Sequence, residues 1–228
     1  MTETPTNPLP LMFWLSPAFP VGSFAYSHGL EWAVESGAVH DRASAEAWLG
    51  DLVGHGGLRN DAILLAAVWQ AARAEDAAGL ATANELALAS AGSRERYLET
   101  SAQGNAFLLT ITAAWPVDGI ADSRTGLAGD VAYPVAVGLV TARHGIGLEA
   151  ALSAFVANGL ANLVSALVRL NAIGQTDGQH VIAALMPAIS GLALYATGST
   201  LDDLGGAAFQ SDIAAMRHET QYTRLFRS

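Results

Sequence analysis

Alanine and leucine dominate this chain, and its apolar residues recur at helical spacing with few alternating β-branched runs. Apolar positions at i, i+3, i+4 and i+7 fall on one helical face, whereas a strand alternates every second residue. The segment 45–53, with Trp48 and Leu52 in register, follows the helical rule, and Asp41 or Ser44 is its candidate cap. We therefore predict an all-α fold, a single-domain bundle of about ten helices.

The same spacing and the turn residues predict where individual helices lie. We expect helices over residues 77–91, 93–112, 134–143, 148–170 and 177–196, with Asp177 capping the last. Pro187 predicts a kink or a break in that last helix. A proline, glycines and aspartates predict a loop over 116–130. The predicted inner face of the helix over 93–112 consists of Leu98, Ala102, Asn105, Leu108 and Leu109.

Composition changes toward both ends of the chain. We expect a flexible N-terminus over 1–10, an all-α domain over 11–196, and a C-terminal tail over 197–228. The tail begins with a glycine-rich linker over 197–210 and continues with a segment rich in arginine and aromatic residues. Such a segment either docks on its own body or is ordered by a partner, and composition leaves both open.

A long apolar segment, 148–170, raises the question of a membrane span. It carries Glu149, Asn158, Asn162 and Arg169, which a buried helix accommodates better than a bilayer does. The first residues of the chain lack the basic region and the long apolar run of a signal peptide. We therefore expect no membrane span.

Charge and missing residue types exclude several function classes. The formal net charge of −10 disfavours binding to nucleic acid, whose phosphates would be repelled. All eleven basic residues are arginine, so a P-loop, which needs a lysine at the phosphates, is impossible. There is no cysteine, which excludes disulfides and thiolate metal sites and is compatible with the cytosol.

Histidines and one polar cluster are the remaining candidates for chemistry. No two of the six histidines are four residues apart, and there is no H-E-x-x-H motif, so we expect neither a resident metal nor a cofactor. Ser23, His28 and Glu31 have the residue types of a hydrolytic triad. Their spacing along one helix, however, does not place the three side chains in the hydrogen-bonded line that a triad requires. The plainer interpretation is that Ser23 caps a helix while His28 and Glu31 lie on its outer face. A small-ligand-binding or hydrolytic helical protein using these three residues remains the alternative.

Three separated segments resemble one known family. They are "SPAFPVGSFAYSHGLE" at 16–31, "RLNAIGQTDGQHVIAAL" at 169–185 and "SDIAAMRHETQYTRLFRS" at 211–228, with a weaker match in "YPVAVG" at 133–138. In this order they resemble the urease accessory protein F (UreF) family. Residues 58–130 hold no motif that can be aligned by eye.

The resemblance implies a UreF-like all-α fold and no enzymatic activity. It implies a cytoplasmic nickel-insertion chaperone for urease: a homodimer that binds the accessory protein UreD (UreH), recruits the nickel-carrying GTPase UreG and serves apo-urease. An effect on GTP hydrolysis is also implied, with Arg217 or Arg224 as candidate arginine fingers. The implied partner-binding residues are Gly22, Ser23, Tyr26, Ser27, Gly29, Glu31, Gln175, Asp177, Gln179, Arg217, His218, Glu219, Gln221, Tyr222, Arg224, Leu225 and Phe226.

Overall fold

The computed structural model describes residues 7–228, which form eleven α-helices and two short 3-10 helices and contain no strand. The all-α prediction is confirmed. The 3-10 helices span Ser23–Ala25 and Leu201–Asp203. The α-helices are α1 (Leu9–Trp14), α2 (Leu30–Glu35), α3 (Arg42–His55), α4 (Gly57–Arg73), α5 (Ala77–Ala89), α6 (Arg94–Ala114), α7 (Ile120–Gly126), α8 (Tyr133–Arg143), α9 (Leu148–Arg169), α10 (Gln175–Thr197) and α11 (Phe209–His218).

Both candidate caps of α3 take part in one capping box. The Asp41 carboxylate accepts a hydrogen bond from the Ser44 backbone N–H at 2.8 Å, and the Ser44 hydroxyl accepts from the Asp41 N–H at 3.1 Å. Each residue thereby satisfies a backbone donor that the first helical turn leaves free. The helix therefore begins where its sequence signal predicts.

The prediction of a loop over 116–130 is wrong, because this stretch contains α7. Gly119 precedes α7 with φ +83°, a left-handed conformation that glycine adopts without strain. Ile120 then packs into the core with 2% of its surface exposed. The composition of this stretch predicts a turn, but the left-handed glycine and the buried isoleucine side chain are compatible with two turns of helix.

The last long helix, α10, continues unbroken through Pro187. Leu185 and Ile189, on either side of the proline, are buried against the body, so tertiary packing holds the helix through this point. The helix begins at Gln175 after Gly174, which places Asp177 inside the first turn. Asp177 is therefore not the cap that the sequence predicted.

The centre of the bundle is α8, which packs against α4 and α6. Every residue from Pro134 to Ala142 in this helix is buried. At Gly138 a Cβ atom would lie 2.7 Å from the Leu65 carbonyl oxygen, so only glycine permits this close approach of α8 to α4. The buried helix surface supplies most of the stabilisation through the hydrophobic effect.

Two helices, α9 and α10, are long and apolar enough to cross a membrane by length and composition alone. Half of the most apolar window of α9 and a third of that of α10 are buried inside the protein. The two helices pack against each other and against the rest of the bundle. A core helix passes the same test, so the finding is weak support for a span.

After α10 the chain folds back over the body. The Arg59 guanidinium donates to the carbonyl oxygens of Asp203 at 2.9 Å and Gly205 at 3.3 Å, and α11 then packs against α2 and α6. The division into a flexible N-terminus over 1–10, a body over 11–196 and a flexible, partner-binding tail over 197–228 stays a prediction, and residues 1–6 lie outside the described part of the chain.

Candidate functional site

The N-terminal loop (residues 16–29) leads into α2 through two left-handed residues. His28 has φ +55° and Gly29 has φ +77°, and Gly29 is the N-cap of α2. Ser23 lies seven residues before α2, in a 3-10 helix, so the prediction that it caps this helix is wrong. Asn162 fixes the loop by donating to the Ser23 carbonyl oxygen at 3.0 Å.

Gly29 is also the point where α11 touches the N-terminal loop. A Cβ atom at this position would lie 2.5 Å from the Ala215 backbone nitrogen and 2.8 Å from the Ala214 carbonyl carbon. Both are backbone atoms of α11, which cannot rotate away as a side chain can. The absence of a side chain at Gly29 therefore permits α11 to dock.

Glu31, on α2, binds the end of the C-terminal tail. Its carboxylate accepts from the backbone N–H groups of Leu225 at 2.6 Å and Phe226 at 2.9 Å. Only 7% of Glu31 is exposed, and His28 contacts a buried glutamate, so the expectation that these two side chains form an outer face is wrong. The reason is that the tail, almost 200 residues later, covers this face.

A second buried carboxylate, Glu99 on α6, joins the N-terminal loop to the C-terminal tail. It accepts from Ser228 Oγ at 2.8 Å, His28 Nε2 at 2.7 Å, Arg96 at 2.5 Å and Gln103 Nε2 at 3.1 Å. Burial alone would raise its pKa, but the charges of Arg96 and His28 and these hydrogen bonds prevail and hold the pKa at about 2. Glu99 is therefore ionised at neutral pH.

Two further contacts connect the N-terminal loop to the last residue. The backbone N–H and the hydroxyl of Ser27 both donate to the Ser228 carbonyl oxygen, at 2.7 and 2.5 Å. The pKa of His28 lies below its usual value, because burial and the Arg96 charge outweigh the attraction of Glu99. Loop and tail thus share one continuous network of hydrogen bonds.

His218, the last residue of α11, is completely buried between two carboxylates. Its Nε2 lies 3.2 Å from Glu31 Oε2 and its Nδ1 lies 2.6 Å from Glu95 Oε2. Arg224 donates to the other oxygen of Glu95 at 2.6 Å. Two carboxylates, an imidazole and a guanidinium therefore face one another beneath the tail.

The other predicted residues of the C-terminal segment divide into buried and exposed groups. Gln221 donates to Glu35 of α2, and Phe226 is buried under the Arg169 guanidinium, which lies 4.4 Å from the ring centroid. Tyr222 and Leu225 are exposed, at 103% and 64%. Of the remaining two, Arg217 is exposed, and the Glu219 carboxylate accepts from the Arg94 N–H at 2.7 Å. Tyr26, from the N-terminal motif, is buried.

The middle motif lies apart from this network. Gln175 and Gln179 are exposed on the first turns of α10, and Asp177 lies 3.7 Å from His180. Within residues 7–228 none of these three side chains bonds to the N-terminal loop or the tail. The structure therefore joins the first and third motifs and leaves the second on a different surface.

A cavity of about 400 Å³ lies beneath α11, between α4 and α6. A smaller cavity of about 50 Å³ adjoins it, and His28, Asp61, Arg96 and Thr100 line both. Burial, assisted by the negative charge of Glu99 and opposed by Arg96, raises the pKa of Asp61 to about 6. Among the described residues no group of three or more histidine, aspartate or glutamate side chains is arranged to hold a metal ion.

The triad geometry is not formed. In residues 7–228 no hydrogen bond joins any two of the side chains of Ser23, His28 and Glu31, because His28 pairs with Glu99 and Glu31 pairs with the tail. The hydrolytic alternative therefore has no geometric support.

Sequence reasoning missed the contribution of α6. The predicted inner face is wrong at Leu98, Ala102 and Leu109, all of which are exposed. Glu99, Gln103 and Phe107 face inward instead. Glu95, Glu99 and Gln103 are spaced four apart on one helical face, and that polar stripe is the signal that could have identified the site.

The described fold and site define an all-α protein whose N-terminal loop and C-terminal tail interlock through buried carboxylates. Residues 39–186 match the family model described as UreF. Proteins named urease accessory protein UreF are similar over nearly the whole chain: 54% identical in Methylobacterium radiotolerans, 52% in Xanthobacter autotrophicus and 52% in Rhodopseudomonas palustris. These matches cover 96%, 99% and 96% of this chain and 96%, 93% and 92% of the relatives. The chain therefore belongs to the UreF family.

Proposed function

We propose that this chain takes part in urease maturation in the cytoplasm as a non-catalytic adaptor. In this proposal it links UreD (UreH) to the GTPase UreG, so that nickel, the cargo, reaches apo-urease. The observation that carries the proposal is the junction of the first and last motifs, in which Glu31 and Glu99 hold the tail against the N-terminal loop. The relatives are named urease accessory proteins, and for this reason we propose urease as the protein that this chain helps to mature.

The exposed residues around this junction suit a protein partner. Phe24, Met216, Tyr222 and Leu225 present apolar or aromatic surface, at 63%, 53%, 103% and 64% exposure. Aromatic residues bury large areas at low entropic cost and dominate interface hot spots. We therefore assign direct partner contact to the exposed members of the two motifs.

The buried members act by positioning the tail. Ser27, Glu31, His218 and Phe226 are each at most 7% exposed, so a partner reaches them only if the tail moves. We propose that the tail is mobile in the isolated protein for part of the time and becomes ordered in the complex with UreD. A segment that becomes ordered only on binding binds less tightly, because ordering costs entropy, but its binding can be regulated.

Two further assignments extend the proposal to other surfaces. We propose that the chain forms a homodimer, and that Gln175, Asp177 and Gln179 contact a partner from α10. Both rest on the family resemblance, supported by the exposure of Gln175 and Gln179 on the first turns of that helix. Their separation from the tail network means that variants there should leave tail docking unchanged.

The proposal is tested by co-purification with UreD and UreG. A chain ending at residue 210 lacks all but the first two residues of α11 and lacks the last ten residues, and we expect it to lose UreD and, with it, UreG. The point variants Tyr222→Ser and Leu225→Ser should weaken capture at least tenfold, as hot-spot truncations do. Leu109→Ser is the matched control, since Leu109 is also exposed, at 75%, but lies about 21 Å along α6 from Glu95. Capture that survives the truncation would refute the assignment of the tail.

The proposal also includes an effect of this chain on GTP hydrolysis by UreG. Arg217 is exposed on α11, whereas Arg224 is paired with Glu95, so Arg217 is the arginine more readily offered to a GTPase. In single-turnover assays with UreG, Arg217→Ala should slow GTP hydrolysis without changing complex formation. Unchanged hydrolysis in an intact complex would remove the arginine-finger role.

A further inference from the structure

The burial of His218 between two glutamates has a consequence for its protonation. In a neutral imidazole one nitrogen carries a hydrogen and the other carries a lone pair. Here both nitrogens face carboxylate oxygens, at 2.6 Å from Glu95 and 3.2 Å from Glu31. A lone pair turned toward either carboxylate would be repelled, so the arrangement suits an imidazolium that donates from both nitrogens.

The surrounding charges lead to the same protonation state. Glu31 on α2 and Glu95 on α6 are opposed by Arg224 and a charged His218, so the four groups are neutral together. Without the histidine proton, one carboxylate is left uncompensated in a site where His218 is 0% exposed. An unpaired buried charge is strongly unfavourable. The position of His218 in the last turn of α11 also favours a cation.

The other titratable groups near the junction do not compensate for that loss. Glu35 of α2 accepts from Gln221, Glu219 accepts from the Arg94 backbone, and Arg217 points to solvent. His28 lies with Glu99 and Arg96, and burial lowers its pKa, which favours its neutral form. Glu99, with its pKa held near 2, stays ionised throughout.

We propose that His218 is a proton-operated latch on the C-terminal tail. With the proton bound, the imidazolium connects α11 to α2 and α6, and Glu31 holds the backbone of Leu225 and Phe226. Loss of one ring proton turns a lone pair toward Glu31 or Glu95, repels that carboxylate from the ring and frees the last ten residues. A rise in pH therefore releases the tail, and acid keeps it docked.

The latch deepens the proposed function, because it sets when the tail is free for a partner. Its test uses the isolated full-length chain, so that a failure of partner binding and a failure of the latch are separate results. We would measure hydrogen–deuterium exchange protection of residues 219–228, corrected for intrinsic rates, between about pH 6 and about pH 9, a range that spans histidine deprotonation. Wild-type protection should fall about tenfold or more as pH rises, which corresponds to the loss of one buried charge pair.

The variants separate the latch from general pH effects. H218Q replaces the cation with a neutral donor, so its tail should be weakly protected at every pH in this range. H180Q, on an exposed histidine of α10, should behave like the wild type. A wild-type tail whose protection does not change with pH, or an H218Q tail that keeps the wild-type slope, would overturn the proposal. Because H218Q could disturb folding, nitrogen NMR of the wild-type ring gives a second test: both ring nitrogens should be protonated under conditions where the tail is protected, and a neutral tautomer in that docked state would refute the latch.

Discussion

Gly29→Ala is expected to displace α11 and the last ten residues from the body while leaving the rest of the bundle folded. The new methyl group would lie 2.5 Å from the Ala215 backbone nitrogen, a distance that real Cβ contacts do not show. Because the obstacle is helix backbone, α11 must move as a unit. In hydrogen exchange, protection of residues 209–228 should fall at least tenfold, while α8 keeps its protection.

Gly22→Ala is the matched control for this variant. Gly22 also has a left-handed backbone, with φ +73°, but a Cβ atom there would meet nothing within 4 Å. Both variants therefore carry the strain of alanine at positive φ, which costs about 1 kcal/mol, and only Gly29→Ala carries the clash. Equal exchange in the two variants would show that the close approach of Gly29 to α11 does not hold the tail.

Glu99→Gln is expected to lower the free energy of unfolding by about 3 kcal/mol at neutral pH. The glutamine leaves the charge of Arg96 uncompensated and cannot accept from four donors as the carboxylate does. The folded-state pKa of Glu99 is about 2 against a usual value of 4.5, and a difference of this size corresponds to about 3 kcal/mol. Urea denaturation of both proteins at neutral pH measures the loss.

The depressed pKa of Glu99 determines how the loss of stability in Glu99→Gln varies with pH. A carboxyl group whose pKa is depressed by folding contributes stability above its unfolded pKa and loses it as pH falls through the folded pKa. The difference between wild type and Glu99→Gln should therefore be full above about pH 5 and shrink toward about pH 2. Glu85→Gln, on the exposed face of α5, should change stability by less than about 0.5 kcal/mol. A difference that stays constant with pH would contradict the claim that the ionised carboxylate of Glu99 stabilises the fold.

Helix positions could be predicted from the sequence because their signals are local. The capping pair Asp41 and Ser44 and the proline at the start of α8 lie within a few residues of the helices they begin. The local rules failed at α7, where the composition predicts a loop, and the break that they allowed at Pro187 does not occur, since α10 is continuous there. In both places a buried side chain outweighs intrinsic propensity.

The site itself depends on partners that are distant in sequence. Glu31 meets Leu225 and Phe226 across almost 200 residues, and Glu99 meets Ser228 across almost 130. No helical periodicity reveals that a carboxylate is buried, because its burial depends on donors contributed by the tail. Family resemblance identified the two motifs, but only the fold shows which of their residues are buried and which are exposed.

The most direct test of the adaptor role is urease activation in cells that lack their own copy of this protein. Urease activity and nickel content per urease would be measured after complementation with the full chain, the chain ending at residue 210, and the Leu109→Ser control. We predict full activation by the full chain and the control, and nickel-poor, inactive urease with the truncated chain at equal abundance. Normal nickel content and activity with the truncated chain would contradict the account.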